Sequence, residues 1–594
     1  MSFLRRYVWL TFPFIVAAIS FFVGIDWGLP TRDVDRHLFG DRTPWTGEEI
    51  LALAGDAFGS EATTQRASDH DANPLANRDT TQVINETDEQ RAEIVLRYRL
   101  YSQQPDEMLT PLALAQMKPG QLQLDPKMYQ YGGLWVYPVG GLLKALSIFD
   151  IVTLKSDRAF YLDHPEEFGK FYAVMRAYSA MWGLLGVAAT MLIVRRLVAN
   201  DTIAVMTAGV VFALLPVVVN MAHEAKPHLA GAVLMLWTIL FASRYVRTGG
   251  LQAAVLTGAT WGAATGMVLL SLPGVVVLAT MVLLRRKRRD GKAIRDGLIA
   301  LLAGVIVYSV TNPYVLINAI VGSGGTVTSN MTAHGNFYWV HNVWNGFITG
   351  IDLIAEGSTL VVAVIGIVSL IVFAMRWRKS AMVFNPDAVA LTTLLLVPSL
   401  VVTLQFVLLG AGKPGEYARF ALLPCIALAI AAVVGVRRLI HHRLARISAT
   451  IGLWIVVSVA GGMYGLNFAR AAGWFGLEDT RNQAANTLSI LSDQGKRSLA
   501  IIAEPAPYSV PPVDLFRWRL HLLPISAANA TTAAEERADV YVAASDRFNA
   551  PPAGYVSWSP SAGAKPWPTP ISWSNKPIDL FVPQERSVRE GWAE

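Results

Sequence analysis

Tyr131-Gly132-Gly133-Leu134-Trp135-Val136-Tyr137-Pro138-Val139-Gly140-Gly141-Leu142-Leu143-Lys144-Ala145-Leu146-Ser147-Ile148-Phe149-Asp150-Ile151 is the stretch on which the topology turns. From Leu134 to Ile151 it is apolar enough to suggest a membrane span. If it crossed, every later basic loop would move to the opposite face of the bilayer. Trp135 and Tyr137 are suited to headgroup depth, and Pro138 sits inside the run. The stretch is therefore expected to lie in the interface or to re-enter, without crossing.

The rest of the chain gives the reason for caring. Of its 594 residues, 53% are hydrophobic and 16% charged, and the mean hydropathy is +0.38. A soluble chain is about a quarter charged. Apolar runs fall at 7–25, 172–194, 203–221, 228–243, 251–270, 272–284, 297–312, 358–375, 388–409, 419–436 and 448–467. These give about eleven spans. The 251–284 stretch reads as a tight hairpin around Leu272-Pro273-Gly274. The chain is thus expected to be an α-helical polytopic membrane protein, not a soluble enzyme, a disordered chain or a fibre. Cys425 is the one cysteine, which excludes a disulfide framework and a cysteine metal cluster.

Orientation follows from the cations. Arg5/Arg6, Arg195/Arg196, Arg244/Arg247, the 285–295 cluster, Arg376/Arg378/Lys379 and Arg437/Arg438/Arg443/Arg446 share one side. The short loops opposite hold only Lys226, Lys413 and Arg419. The expected setting is a bacterial inner (cell) membrane, with a cytoplasmic N-terminus. The net charge of +6 is carried by these orienting loops, so no nucleic-acid partner is implied.

Two outer regions are large. The first, 26–168, is a periplasmic loop that contains the juxtamembrane element 131–151; its polar 60–95 stretch reads as a surface loop. The second, 471–594, follows a transmembrane domain at 1–470. A helical pattern at Asn482–Leu491 and strand-like runs at 499–503 and 538–543 make it a small C-terminal α/β periplasmic domain. Sequons at Asn85, Asn330 and Asn529 carry no weight.

Phosphate-binding loops, dinucleotide fingerprints and His-Glu-x-x-His are missing from the sequence. The spans hold few acidic groups, which weakens a transporter reading. The chemistry gathers in the outer loops. Gln104-Pro105-Asp106-Glu107-Met108-Leu109-Thr110 places adjacent carboxylates before Asp125-Pro126-Lys127-Met128-Tyr129-Gln130 and the Tyr131–Pro138 element. They could simply open a helix. A carboxylate held at the water–lipid boundary could also act as a general base on a hydroxyl.

These motifs, in this order, resemble the GT-C superfamily of integral-membrane glycosyltransferases. The likeness is to the branch with protein O-mannosyltransferases and aminoarabinose transferases. Pro105-Asp106-Glu107 is similar to its acidic motif, and Tyr131–Pro138 to its juxtamembrane helix. Arg176-Ala177-Tyr178-Ser179-Ala180 is similar to its Arg-x-x-Ser-Ala start. Tyr417-Ala418-Arg419-Phe420-Ala421-Leu422-Leu423-Pro424 resembles its Arg-Tyr-x-Leu-Pro helix. The resemblance covers about residues 1–470 and implies a GT-C-like fold. It implies inverting transfer of a hexose or pentose from a polyprenyl-phosphate donor to a glycan, lipid or protein acceptor.

In that reading Asp106 is the catalytic base and Glu107 orients it or binds the acceptor. Tyr131, Trp135 and Tyr137 are substrate-binding candidates. The segment Asp33-Val34-Asp35-Arg36-His37-Leu38-Phe39-Gly40 is a rival acidic site, so Asp35 is an alternative base. Arg419 and Lys226 are candidates for the donor phosphate, because a guanidinium meets phosphate through two donors; interfacial snorkelling is the alternative. His223, Glu224 and His228 are candidate ligands of a divalent metal, or interfacial polar residues at helix ends. The loop at 313–350 carries aromatics and amides (Asn330, His334, Asn336, Tyr338, Trp339, His341, Asn342, Trp344) that suit a sugar or an interface. Two other functions remain open at this point: a transporter or flippase of lipid-linked glycans, and a glycan ligase or polymerase.

Overall fold

The computed structural model describes residues 9–54, 81–199, 201–321, 342–379, 385–409, 415–476, 479–502, 511–523, 538–544, 554–558 and 569–584. Its framework is a bundle of apolar helices. Seven are long and apolar enough to cross a membrane: Pro165–Leu197, His228–Thr248, Leu269–Lys287, Ala293–Thr311, Pro386–Leu409, Tyr417–Leu439 and Arg443–Ala471. Two bent pairs, Thr202–Leu214 with Pro216–Ala222 (58°) and Val343–Ser358 with Leu360–Arg376 (105°), bring the number to nine if each is one span. This is a multi-pass architecture.

Each of the eleven expected runs falls on a helix, but two are short. The described part of the first is Trp9–Phe22, and Leu251–Met267 has 17 residues. By length, among the described residues, the expected eleven spans therefore reduce to seven to nine. The 251–284 stretch is broken by a 3-10 segment, Leu269–Val275, that contains Pro273. The first bend also has a local cause. Leu215 precedes Pro216, which disfavours helical backbone, and Leu215 is extended (φ −62°, ψ 128°).

The decisive juxtamembrane stretch forms a helix, Gly133–Ile148, of 16 residues. It is too short to span without help. Its first half is buried and its far end exposes Ile148 (70%) and Phe149 (73%). The paired glycines set its start. A Cβ on Gly132 would lie 1.9 Å from the Gly266 carbonyl oxygen, and one on Gly133 2.0 Å from that of Thr311. The Gly133 amide donates to Asn312 Oδ1 at 2.8 Å. The same device packs helix 251–267 on helix 293–311. A Cβ at Gly258 would meet the Ala300 carbonyl at 1.7 Å, so only a small residue permits this approach.

Outside the bundle lies a mixed sheet of six strands: β1 (Gln82–Val83), β2 (Ser498–Ile502), β3 (Arg519–Leu522), β4 (Val540–Ala544), β5 (Tyr555–Trp558) and β6 (Ile578–Pro583). Their order is β1-β3-β2-β4-β6-β5. β2 is parallel to β3 and β4, while the β1–β3, β4–β6 and β5–β6 pairs are antiparallel. Alternation on β2 and β4 sends Leu499, Ile501, Val540 and Val542 into the main core. Ala500, Tyr541 and Ala543 form a smaller cluster on the other face.

The regions on either side of the expected boundary near 470 are joined, because the sheet takes its edge strand β1 from the 26–168 region. Asn85 donates to the Leu515 and Trp518 carbonyls (2.8 and 2.7 Å) and accepts from the Leu520 amide (2.9 Å). Phe39 and Trp45 pack on Phe516. The 26–168 region and the C-terminal region thus share a core. The polar 60–95 stretch is also more ordered at its end than a surface loop. Helix Asp88–Leu100 starts with a Thr87–Gln90 capping box. Residues 55–80 lie outside the described residues.

Candidate active site

Pro105–Met108 form a 3-10 turn that sets adjacent carboxylates on opposite tasks. Glu107 points inward and is fully buried. Its Oε1 accepts from Arg176 Nε (2.9 Å) and the Ala225 amide (2.7 Å). Its Oε2 accepts from Arg176 Nη2 (2.7 Å) and Ser102 Oγ (2.6 Å). Arg176 Nη1 donates to the Ile25 and Trp27 carbonyls (2.9 and 2.6 Å). A buried ion pair is tolerated when its remaining donors and acceptors are met, as here. Acceptor binding by Glu107 is therefore corrected: its oxygens are already occupied. It holds the 105–108 turn, the Arg176 helix and the 223–226 loop together.

Asp106 points the other way. Its Oδ2 lies 3.1 Å from Lys226 Nζ and 3.3 Å from Arg419 Nη1. The Asp106 side chain is 37% exposed, whereas Lys226 and Arg419 are buried (0% and 3%). The carboxylate thus forms the open front of a site whose cations lie behind it. Burial pushes the Asp106 carboxyl up, but Lys226, then Arg419, outweigh it, and His228 adds to them. The group is held well below the usual carboxylate range. Lys226 has a second carboxylate, Glu224 Oε2, at 3.0 Å. Asn220 Nδ2 donates to Glu224 Oε1 at 3.0 Å.

Arg419 sits in a 3-10 segment, Gly415–Ala421, at the start of the most enclosed span. Its guanidinium carbon is 4.7 Å from the Tyr417 ring centre and 5.4 Å from that of Phe420. These faces attract a cation and keep it extended. A cavity adjoins Arg419, lined by His228, Met235, Val268, Val402, Phe420 and Leu423. Apart from Arg419 and His228 its wall is largely apolar.

Other candidates fall elsewhere. Asp35 is corrected to a structural role. It is 5% exposed and pairs with the buried Arg99 at 2.9 Å. Arg99 also donates to the Trp45 and Leu162 carbonyls. Burial raises the Asp35 carboxyl, and Arg99 and Arg32 oppose that rise. The metal trio is corrected as well. His223 has its two ring nitrogens 2.9 Å from the Val219 and Val23 carbonyls and is stacked on Phe468. Glu224 is engaged with Lys226 and Asn220. Among the described residues no group of three His, Cys, Asp or Glu could hold a metal.

Of the three aromatic candidates, Trp135 is fully buried and its indole N–H donates to Thr110 Oγ1 at 3.0 Å. It is a packing residue, which corrects its substrate-binding assignment. Tyr137 donates to the Leu124 carbonyl at 3.2 Å. Tyr131 approaches the site: its ring is 6.0 Å from His228, edge to face, and its backbone bridges Val268. Lys413, Asn330, His334, Asn336, Tyr338, Trp339 and His341 lie outside the described residues. Asn342 caps helix Val343–Ser358.

Neither a family model nor a curated protein matches this chain. Solved structures do. ArnT from Cupriavidus metallidurans in the apo state is 13% identical over 97% of this chain and 98% of that one, with a TM-score of 0.41. The same protein bound to undecaprenyl phosphate gives 12%, the same coverages and 0.42. Archaeal oligosaccharyltransferase AglB from Archaeoglobus fulgidus, in complex with an inhibitory peptide and a dolichol-phosphate, is 12% identical. It covers 84% of this chain and 69% of that one, with a TM-score of 0.36. Sequence reasoning missed Asn220, whose only signal was a lone amide inside Val217-Val218-Val219-Asn220-Met221.

Proposed function

We propose that this chain is a glycosyltransferase of the GT-C type, working at the outer face of the cell's inner membrane with its N-terminus cytoplasmic. Its donor is a sugar linked to a polyprenyl phosphate, and its acceptor is a hydroxyl on a glycan, lipid or protein. The observation that carries the reading is the exposed Asp106 carboxylate in front of two buried cations. The motif order read from the sequence supports it.

The chemistry is as follows. The donor phosphate binds Arg419 and Lys226. The acceptor oxygen attacks the anomeric carbon from the opposite face, and its proton passes to Asp106. The carbon–oxygen bond to phosphate breaks, and polyprenyl phosphate leaves as an anion with inverted configuration at the sugar. Its negative charge is met by the two cations, so no general acid is required at the leaving group.

Before the donor arrives, Asp106 occupies the same cations. That pairing makes it a weak base. A phosphate that draws Arg419 and Lys226 onto itself loosens their hold on Asp106 and strengthens the base when the acceptor needs it. Donor binding and base activation are then one event. The test is affinity for farnesyl phosphate, a short polyprenyl phosphate, in purified protein. Asp106→Asn removes the competing carboxylate and should tighten binding. Equal or weaker binding in this variant contradicts the shared site.

A further inference from the structure

The C-terminal domain touches the bundle through Thr569–Asn575. Thr569 Oγ1 accepts from Asn467 Nδ2 at 3.0 Å. The Ile571 amide donates to Tyr464 Oη at 3.4 Å. At its far end, Asn575 Oδ1 accepts from the Thr480 amide at 3.0 Å, tying the strap to the helix beside the sheet. Thr569, Ile571 and Asn575 are all buried.

The strap reaches both cations by separate routes. On one side the Ile571 carbonyl accepts from Asn220 Nδ2 at 3.2 Å. The same amide nitrogen donates to Glu224 Oε1, and Glu224 Oε2 is paired with Lys226, which faces Asp106. An amide has two N–H donors, so Asn220 serves both partners at once. On the other side Pro570 lies against the 3-10 segment that carries Arg419. A Cβ on Gly415 would stand 1.9 Å from the Pro570 carbonyl oxygen and 3.2 Å from Ile571 Cα. The Arg419 segment therefore rests on the strap backbone with no room for a side chain.

We propose that this strap positions Lys226 and Arg419, so the phosphate site is complete only when the C-terminal domain is docked. Asn220 is the positioning residue that transmits the contact. The inference rests on the phosphate role given above to the two cations. It assigns the C-terminal domain a part in the site that the resemblance over residues 1–470 does not cover. A shift of about 1 Å in a charged group costs up to ~100-fold in a positioned site. The strap needs only to move slightly to be felt.

The experiment measures farnesyl phosphate affinity and melting temperature on the full chain in detergent. Asn220→Leu breaks the Ile571–Asn220–Glu224 link, and Gly415→Ala forces the strap and the Arg419 segment apart. Each is expected to weaken farnesyl phosphate about tenfold or more, with most of the melting temperature retained. Asn220→Gln, which keeps the amide, is expected to recover part of the loss. Asp106→Asn in parallel should tighten binding, the opposite sign. Unchanged affinity in both Asn220→Leu and Gly415→Ala, with Asp106→Asn tight, overturns the strap's role and leaves the site reading intact. No binding to the wild-type protein overturns both. If Asn220→Leu does not fold, Gly415→Ala decides alone.

Discussion

Asp106 and Glu107 are neighbours with opposite environments, and this difference is where the site's chemistry is set. Glu107 is enclosed by Arg176, Ser102 and the Ala225 amide. Glu107→Gln leaves the Arg176 charge buried without its counter-ion, a loss of about 3–5 kcal/mol. A chemical or thermal melt of the purified protein should register it. Asp106 behaves differently. Its folded carboxyl lies below the unfolded value, so any stability it lends is present above the ordinary carboxylate range. That stability fades as pH falls through the lower folded value. At neutral pH the group is ionised. Removing one cation with Arg419→Gln should lift the carboxyl toward ~3.9. The acid limb of the kcat/KM profile, which reports the free enzyme, then moves up in pH, and farnesyl phosphate binds about tenfold or more weakly for want of a charged hydrogen bond. A limb that stays put would mean Arg419 does not act on Asp106. The two cations stood out as candidates because Lys and Arg are scarce in the short loops, and the acidic pair because it precedes the Tyr131–Pro138 element. Their division of labour was not. Which of two adjacent carboxylates faces inward depends on the Ser102 and Arg176 partners, and Arg176 lies 69 residues away.

Helices were legible to the extent that their apolar runs are long, and less so where tertiary contacts cut them. The bends at Leu215 and at Thr359, and the 3-10 break at Leu269–Val275, interrupt runs whose composition alone looks continuous. The Tyr131–Ile151 stretch was readable as an apolar element with one proline, paired glycines and interfacial aromatics, and a helix of 16 residues forms there. What could not be read is that Gly132 and Gly133 exist to admit the carbonyls of Gly266 and Thr311. Gly133→Ala would push the helix off Thr311 and drag Tyr131 from His228. Overpacking of this kind costs about 1–3 kcal/mol. Limited proteolysis of the 125–150 region should then become faster than in wild type. His223, Glu224 and His228 were candidate metal ligands by residue type, with interfacial polar residues at helix ends as the alternative. At the end of helix Pro216–Ala222, the two ring nitrogens of His223 meet the Val219 and Val23 carbonyls instead.

At the scale of the whole molecule, the unforeseen feature is that the 26–168 region and the C-terminal region build one sheet. A two-residue edge strand and the three hydrogen bonds of Asn85 join segments at least 430 residues apart. No local pattern announces a partner at that distance. Asn85→Ala should cost about 1–3 kcal/mol, because it strands buried backbone groups of Leu515, Trp518 and Leu520. A lowered melting temperature with the bundle's helical signal intact would show that the outer unit loosens first. The strap between the sheet and the helix bundle meets Asn220 and the segment that carries Arg419. The central claim is that Asp106 is the base of a transfer from a polyprenyl-phosphate sugar. It is tested most directly by mass spectrometry of lipid-linked sugars in cells lacking the chain, complemented by wild type or by Asp106→Asn. A general base contributes about 10²–10⁴-fold, so the Asp106→Asn cells should match the deletion. Both should accumulate one polyprenyl-phosphate sugar and lose one glycan decoration. Wild-type levels in the Asp106→Asn cells would contradict the account.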